Sequence, residues 1–170
     1  MAESAAKPVY LVDASSDPVV VQIDGRACFQ NSTCLRDFVG VMLGQGKRRF
    51  VLDFQRCASM DSTFLGVLAG TALELRKSVP PGSLVLSRVG ARNLELIRSL
   101  GLHRIVTVNP GEAATTAPKC DTPLEAKKCS EIESARQVLE AHEHLVAADE
   151  TNRTKFQDVL AFLRNRLDQK

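Results

Sequence analysis

Two adjacent hydroxyl residues, Ser62 and Thr63, stand where a strand is expected to lead into a helix. The apolar run 50–54 predicts the strand, and apolar residues at helical spacing from 65 to 77 predict the helix. Asp61 is a good N-cap residue. Ser62 would then lie in the first helical turn, where unpaired backbone N–H groups and the helix dipole favour an anion. The position would suit a switch in which Ser62, with Thr63 as the fallback, carries a phosphate; the alternative is a serine that serves only to start the helix.

The histidines and cysteines give little support to catalysis or to a metal site. The histidine of the predicted α/β region is His103, far in sequence from any activated serine or cysteine. The five cysteines include no C-x-x-C pair and no C-x5-R loop, and no Gly-rich loop follows a strand. His142 and His144 are two residues apart on a predicted helix and point to different sides. We therefore predict a protein that is not an enzyme and that needs neither a metal nor a cofactor.

The elements around Ser62 alternate between strands and helices along the chain. Apolar runs predict strands at residues 9–12, 19–23, 50–54, 84–86 and 105–108. Helical spacing predicts helices from a cap within 31–33 to Gly44, from 65 to 77, and from 91 to 100. Asp24-Gly25 is a turn signal, which predicts a hairpin between the second strand and residues 27–29. We therefore expect an α/β fold over residues 9–108, a sheet of about four to five strands with helices packed on it.

The C-terminal third has a different organisation. Residues 109–129 are rich in Pro, Gly, Thr, Ala and Lys and have no apolar period, which is typical of a linker. Ser130 and Glu133 then form a capping box. Two amphipathic stripes with a break near 149–152 predict an α-helical hairpin over 130–168. The stripes are expected to dock on the sheet domain or on each other; the alternative is a surface for a partner or for a second copy, giving a homodimer.

Composition is that of a soluble globular protein. The 170 residues are 44% hydrophobic and 25% charged, with a net charge of +2, so no general attraction to nucleic acid or to an anionic membrane is expected. Residues 1–8 lack the apolar segment of a secretory signal, and no stretch reaches the roughly 20 apolar residues that span a bilayer. An odd number of cysteines without an export signal favours reduced thiols. We therefore expect a cytoplasmic protein.

Residues 61–66, Asp-Ser-Thr-Phe-Leu-Gly, belong to a wider set of short motifs. The others are Gly25 with Asn31, Val51-Leu52-Asp53, Gly82-Ser83-Leu84 and Leu100-Gly101-Leu102. Together they make the stretch 19–108 resemble a STAS domain of the anti-sigma-factor antagonist type, in which the central motif reads Asp-Ser-(Ser/Thr)-Gly-Leu-Gly. Two positions depart from the family pattern: Phe64 stands in place of glycine, and Cys28 in place of an acidic residue.

The resemblance implies a regulatory protein that works by partner switching. In the family a partner kinase phosphorylates the first hydroxyl after the motif aspartate, which carries that role to Ser62. The implied partners are an anti-sigma factor with serine kinase activity, whose capture frees a sigma factor for transcription, and a serine phosphatase that restores binding. The expected partner-binding residues are Asn31, Asp61, Ser62, Thr63, Phe64, Leu65 and Gly66. The ring of Phe64, in a slot where the family favours glycine, is expected to be at least half exposed and to contact the partner.

A second interpretation belongs to a different class of function. The domain would be a constitutive STAS scaffold subunit of a signalling or transport complex, in which Ser62 never carries phosphate. Phe64 and the C-terminal helical hairpin both suit that interpretation.

Overall fold

The computed structural model describes residues 9–109, 120–125 and 128–168. Within them, six strands form one mixed sheet in the order β5-β4-β3-β2-β1-β6. The strands are β1 (Tyr10–Asp13), β2 (Val19–Ala27), β3 (Arg49–Met60), β4 (Ser83–Ser87), β5 (Thr107–Asn109) and β6 (Thr122–Pro123). Strands β2 to β5 run parallel, and β1 pairs antiparallel with β2 and with β6. The expected α/β sheet is thus confirmed, with a short additional strand at its edge.

Helices connect the parallel strands, because a parallel pair needs a crossover that a tight turn cannot supply. The helices of the described residues are α1 (Ser32–Gly44), α2 (Ser62–Lys77), α3 (Ala91–Ser99), α4 (Glu131–Ala148) and α5 (Asn152–Asp168). Helix α2 follows β3 directly and contributes the largest share of helical residues to the core. Its buried apolar side chains are Phe64, Leu65, Val67, Leu68, Ala69, Ala72 and Leu75.

The predicted hairpin after Asp24-Gly25 is wrong. Strand β2 continues through Gly25 to Ala27 and stays paired with β3 along its whole length. Gly25 has φ 108°, and the register between β2 and β3 shifts on both sides of it. Glycine therefore accommodates an irregularity within one strand here, because it adopts positive φ at low cost. The same pairing extends β3 to Met60, well beyond its apolar run.

The segment 109–129, predicted as a linker, contributes a strand to the sheet. Strand β6 pairs antiparallel with β1, and the N–H of Leu124 donates to the carbonyl of Tyr10 at 3.0 Å. A strand of two residues has no period, so the pattern of apolar residues could not indicate it. Residues 110–119 and 126–127 of this segment lie outside the described residues.

Helices α4 and α5 form the expected hairpin, which packs on the sheet domain. Ser130 and Glu133 form the predicted capping box at the start of α4. Helix α4 lies against α2 on one side and against α5 on the other. Leu145 of α4 is fully buried within the main hydrophobic core. The expectation that the apolar stripes dock on the sheet domain or on each other is confirmed, since α4 contacts both α2 and α5.

Two glycines of α2 allow α4 to approach closely. A Cβ atom at Gly66 would collide with the backbone carbonyl of Ala141, and one at Gly70 would overlap the ring of His144. Residues four apart lie on the same face of a helix, so both glycines face α4. Helix α2 is consequently covered by the sheet on one side and by α4 on the other.

Asn152 fixes the turn between α4 and α5 to the sheet domain. Its side chain is fully buried, and its Nδ2 donates to the carbonyls of Leu100 at 2.9 Å and of Leu145 at 2.8 Å. Its Oδ1 has no hydrogen-bond partner among the described residues. The side chain therefore joins the end of α3 to α4 through its amide nitrogen alone.

Replacing Asn152 by alanine should lower the free energy of unfolding by about 1 kcal/mol. The cost of leaving a buried polar group unpaired is about 1–3 kcal/mol, and the lower end applies because two buried carbonyls lose a donor while one unpaired acceptor is removed. Urea unfolding of the full chain measures the change. The control is Asn165→Ala, an exposed position on α5, where we expect a change within about 0.5 kcal/mol. Equal small changes in the two variants would contradict the anchoring role of Asn152.

Candidate functional site

Asp61 organises the start of α2, as the sequence predicted. Its Oδ1 accepts the N–H of Phe64 at 2.9 Å, which caps the helix. Its Oδ2 accepts the N–H of Phe29 at 2.7 Å. One carboxylate therefore holds both the helix N-terminus and the loop between β2 and α1.

Ser62 is the first residue of α2, and its hydroxyl bonds to a histidine of α4. The Ser62 Oγ lies 2.9 Å from Nε2 of His142. The Nδ1 of His142 lies 2.7 Å from the carbonyl of Val138. A carbonyl can only accept, so Nδ1 carries a proton, and in the tautomer protonated at Nδ1 alone Nε2 accepts the hydroxyl proton of Ser62. Ser62 is half-buried, while His142 is buried with its ring edge-on to Phe156.

The pairing of Ser62 with His142 was not predicted from the sequence. The two residues are 80 positions apart, and His142 lies outside the predicted α/β region, in the predicted helical hairpin. A signal was available, because His142 falls on the apolar stripe of α4 and a buried polar side chain requires a hydrogen-bond partner. The identity of that partner depends on how α4 packs on α2, which the spacing of residues along either helix does not specify.

The expectation that Phe64 is at least half exposed is wrong. Its side chain is 0% exposed. The ring stacks on Tyr10, with centroids 6.4 Å apart, and meets the ring of Phe54 edge-on at 6.2 Å. Once Asp61 caps the helix, the third residue of α2 faces the sheet, so an aromatic side chain at this position enters the core.

Other residues expected at a partner surface are also covered in this structure. Leu65 is fully buried in the core, and Gly66 lies under Ala141. Thr63 is 6% exposed, which makes it a poorer acceptor than the half-buried Ser62. The exposed aromatic side chain at this end of α2 is instead Phe29, which is 53% exposed.

Asn31 has a bracing role in the loop before α1. Its Oδ1 accepts the hydroxyl of Tyr10 at 2.8 Å and the N–H of Cys28 at 3.0 Å. Its Nδ2 donates to the carbonyl of Arg26 at 2.8 Å. Burial raises the pKa of Tyr10, so this hydroxyl keeps its proton and acts as the donor. Asn31 was predicted as a possible cap of α1, but its side chain makes no cap hydrogen bond.

Ser62 and His142 have the distance of a nucleophile and its base, so the space around them decides what they can do. One cavity close to the pair, which Thr63 and Val138 help to line, has a volume of about 20 Å³. Sites for small molecules have volumes of about 300–1,000 Å³. That cavity is therefore too small for a substrate, and the hydrogen bond to His142 holds the Ser62 hydroxyl in place.

The thiols near the core are poor nucleophiles. Burial raises the pKa of Cys34, and it raises the pKa of Cys57 to about 11. Both stay protonated at neutral pH, and the thiolate is the reactive form. Among the described residues no group of three His, Cys, Asp or Glu side chains could hold a metal ion.

Comparison with known proteins identifies the sheet domain. Residues 10–107 match the family model described as "Mlab, STAS domain". The solved structure of the anti-sigma factor antagonist SpoIIAA in its unphosphorylated form is similar with a TM-score of 0.50 and 18% identity, over 62% of this chain and 89% of that chain. SpoIIAA of Bacillus in the phosphorylated form has a TM-score of 0.49 and 18% identity, over 60% of this chain and 92% of that chain. At this identity the likeness to SpoIIAA shows the fold alone.

A comparison of the sequence with curated proteins gives no match. In the part of the chain that the structure describes, no helix has both the length and the apolar character needed to cross a membrane.

Truncation of two phenylalanines should distinguish the buried aromatic side chain of this site from the exposed one by their effects on stability. Phe64→Ala should lower the free energy of unfolding by about 3–5 kcal/mol, because it leaves a cavity between the rings of Tyr10 and Phe54. Phe29→Ala should change it by no more than about 0.5 kcal/mol, since more than half of that side chain is already in solvent. Chemical denaturation of both variants checks the difference, and a larger loss for Phe29→Ala would contradict the placement of the two rings.

Proposed function

Because the chain belongs to the STAS domain family, we propose that it is a regulatory binding protein like the anti-sigma-factor antagonists, controlled by a phosphate on Ser62. The observation that carries this proposal is the position of the Ser62 hydroxyl, at the first residue of α2 and directly after its capping aspartate. Backbone N–H groups and the helix dipole favour negative charge at this point. The same hydroxyl is half-buried, in contrast to the buried hydroxyl of Thr63.

In this function the unphosphorylated protein binds an anti-sigma factor that also has serine kinase activity, and so frees a sigma factor for transcription. Phosphorylation of Ser62 by that kinase ends the binding, and a serine phosphatase restores it. The added charge of about −1.5 to −2 has to be desolvated against the partner, which is unfavourable at an interface. The proposed site of action is the cytoplasm.

The loop between β2 and α1 is the proposed contact surface beside Ser62. It presents the exposed ring of Phe29, and the Asp61 carboxylate ties its backbone to the start of α2. Large aromatic side chains are frequent anchors of protein interfaces. A partner bound to this loop would therefore lie close to a charge introduced on Ser62.

A constitutive STAS subunit of a larger complex is the second candidate function. The hydrogen bond between Ser62 and His142 favours it, because the serine then has a structural role that needs no phosphate. The cover of α4 over Gly66 also favours it, since a permanently covered face suits a protein with one fixed conformation.

Intact mass of the full chain, purified from its native cell before and after phosphatase treatment, tests the two candidates. Under partner switching, wild type and Thr63→Ala should each lose the mass of one phosphate, whereas Ser62→Ala should carry none. Phosphate on Ser62→Ala at the wild-type level would show that the acceptor is a different residue. Wild type without phosphate in every growth condition would favour the constitutive subunit.

A further inference from the structure

We propose that a phosphate on Ser62 and the docking of α4 on α2 exclude each other, so that α4 is an intramolecular cover that phosphorylation releases. The inference rests on the proposed function in so far as Ser62 carries phosphate in the cell. It adds a structural consequence that the function alone does not require. The two forms of the protein would differ in which face of α2 they present.

The geometry at Ser62 gives the reason for the exclusion. Its Oγ is already 2.9 Å from Nε2 of His142, which leaves no space between them for a phosphorus atom and its oxygens. The phosphorylated Oγ has no proton to donate, so an Nε2 that carries no proton loses the donor that it now accepts from. His142 is 4% exposed, and its Nδ1 is held by the carbonyl of Val138. The ring is therefore enclosed, and α4 has to move for the phosphate to fit.

The contacts of α4 become weaker toward its N-terminus. Near the C-terminal end, Leu145 lies in the main core and Asn152 ties the following turn to Leu100. Near the N-terminal end, α4 meets α1 through a hydrogen bond from the Thr33 hydroxyl to Gln137 and an ion pair between Arg36 and Glu140 at 3.0 Å, in which both side chains are about 40% exposed. Ion pairs at such exposure contribute little to stability.

An open groove runs beside the middle of α4, from Gln137 to His144. It has a volume of about 640 Å³ and lies between α1, α2 and α4, with Val67 and Gly70 of α2 among its lining residues. Beside this groove, Gln137, Glu140 and His144 of α4 border solvent, whereas Ala135 nearer the N-terminus of the helix is buried. The helix can lift away about the anchor at Asn152 while the sheet keeps its core.

Release of α4 would uncover the face of α2 that carries Gly66 and Gly70. The backbone of Ala141 now packs against Gly66, and the ring of His144 packs against Gly70, each in the space that a Cβ atom would fill. Any substitution that adds a Cβ at Gly66 should act in the same direction as the phosphate, because it pushes against the same helix. The two changes are chemically unrelated, which allows the cover to be tested without a kinase.

The first test places phosphoserine at position 62 of the full chain during translation and measures amide hydrogen exchange. Exchange of α4 amides between Ala135 and His142 should become at least tenfold faster than in the unmodified chain, with β2 and β3 still protected. The control carries phosphoserine at position 83, an exposed residue at the start of β4, and should exchange like the unmodified chain. Unchanged protection of α4 with phosphoserine at position 62 would overturn the proposal, as would loss of protection throughout the sheet.

The second test uses the unphosphorylated chain. Gly66→Ala should accelerate exchange of the same α4 amides at least several-fold, whereas Gly40→Ala should not, since a Cβ at Gly40 meets no atom within 4 Å. Wild-type exchange in Gly66→Ala would overturn the view that close packing holds the cover in place. If Gly66→Ala does not fold, His142→Ala takes its place and should show the same acceleration.

Neither test requires the cognate kinase. Absence of phosphate from Ser62 in the cell would therefore remove the proposed function without changing either result. Unaltered exchange of α4 would remove the inference and leave the proposed function standing.

Discussion

The packing of α2 between the sheet and α4 is the constraint on which the rest of the structure depends. One side of α2 carries large apolar side chains, such as Phe64 and Leu68, which fill the core above the strands. The other side carries Gly66 and Gly70, whose lack of a side chain lets α4 lie close. The first turns of α2 are thus enclosed on both sides, with Ser62 half-buried at their start, whereas Glu74, Arg76 and Lys77 near the other end of the helix are exposed.

The N-terminal end of α2 joins three parts of the chain through a few hydrogen bonds. The Asp61 carboxylate connects α2 to the loop that carries Phe29. The Ser62 hydroxyl connects it to His142 of α4. The two connections start from adjacent residues but lead to different neighbours, so a chemical change at Ser62 acts on α4 while the loop keeps its own attachment. This separation makes it physically reasonable for one residue to control a helix without unfolding the domain.

Much of the fold could be predicted because its elements carry local signals. The N-cap at Asp61 and the capping box of Ser130 and Glu133 were both predicted, since a cap depends on residues three apart in the chain. The continuation of β2 through Gly25 was not, because glycine permits a turn and an in-strand irregularity equally well and the neighbouring strand decides between them.

The site was less predictable than the fold, because it depends on contacts between distant segments. The exposure of Phe64 was predicted incorrectly, since a motif position does not show which way a side chain faces once the helix is capped. The partner of Ser62 was missed because His142 reaches it only through the packing of α4 on α2. A local pattern can indicate that His142 is buried, but it cannot indicate what it meets.

The pairing of β6 with β1 affects how far α4 could travel after leaving α2. This strand fixes the chain to the edge of the sheet at Pro123, and α4 begins at Glu131, so a short tether holds the helix near the surface it has left. Return to α2 is then an intramolecular step, and linkage through a short segment gives an effective concentration of the order of millimolar. A partner that competes for the uncovered face of α2 must bind tightly enough to outweigh the effective concentration of α4 there. Removal of the phosphate would restore the covered state without any need for a second molecule.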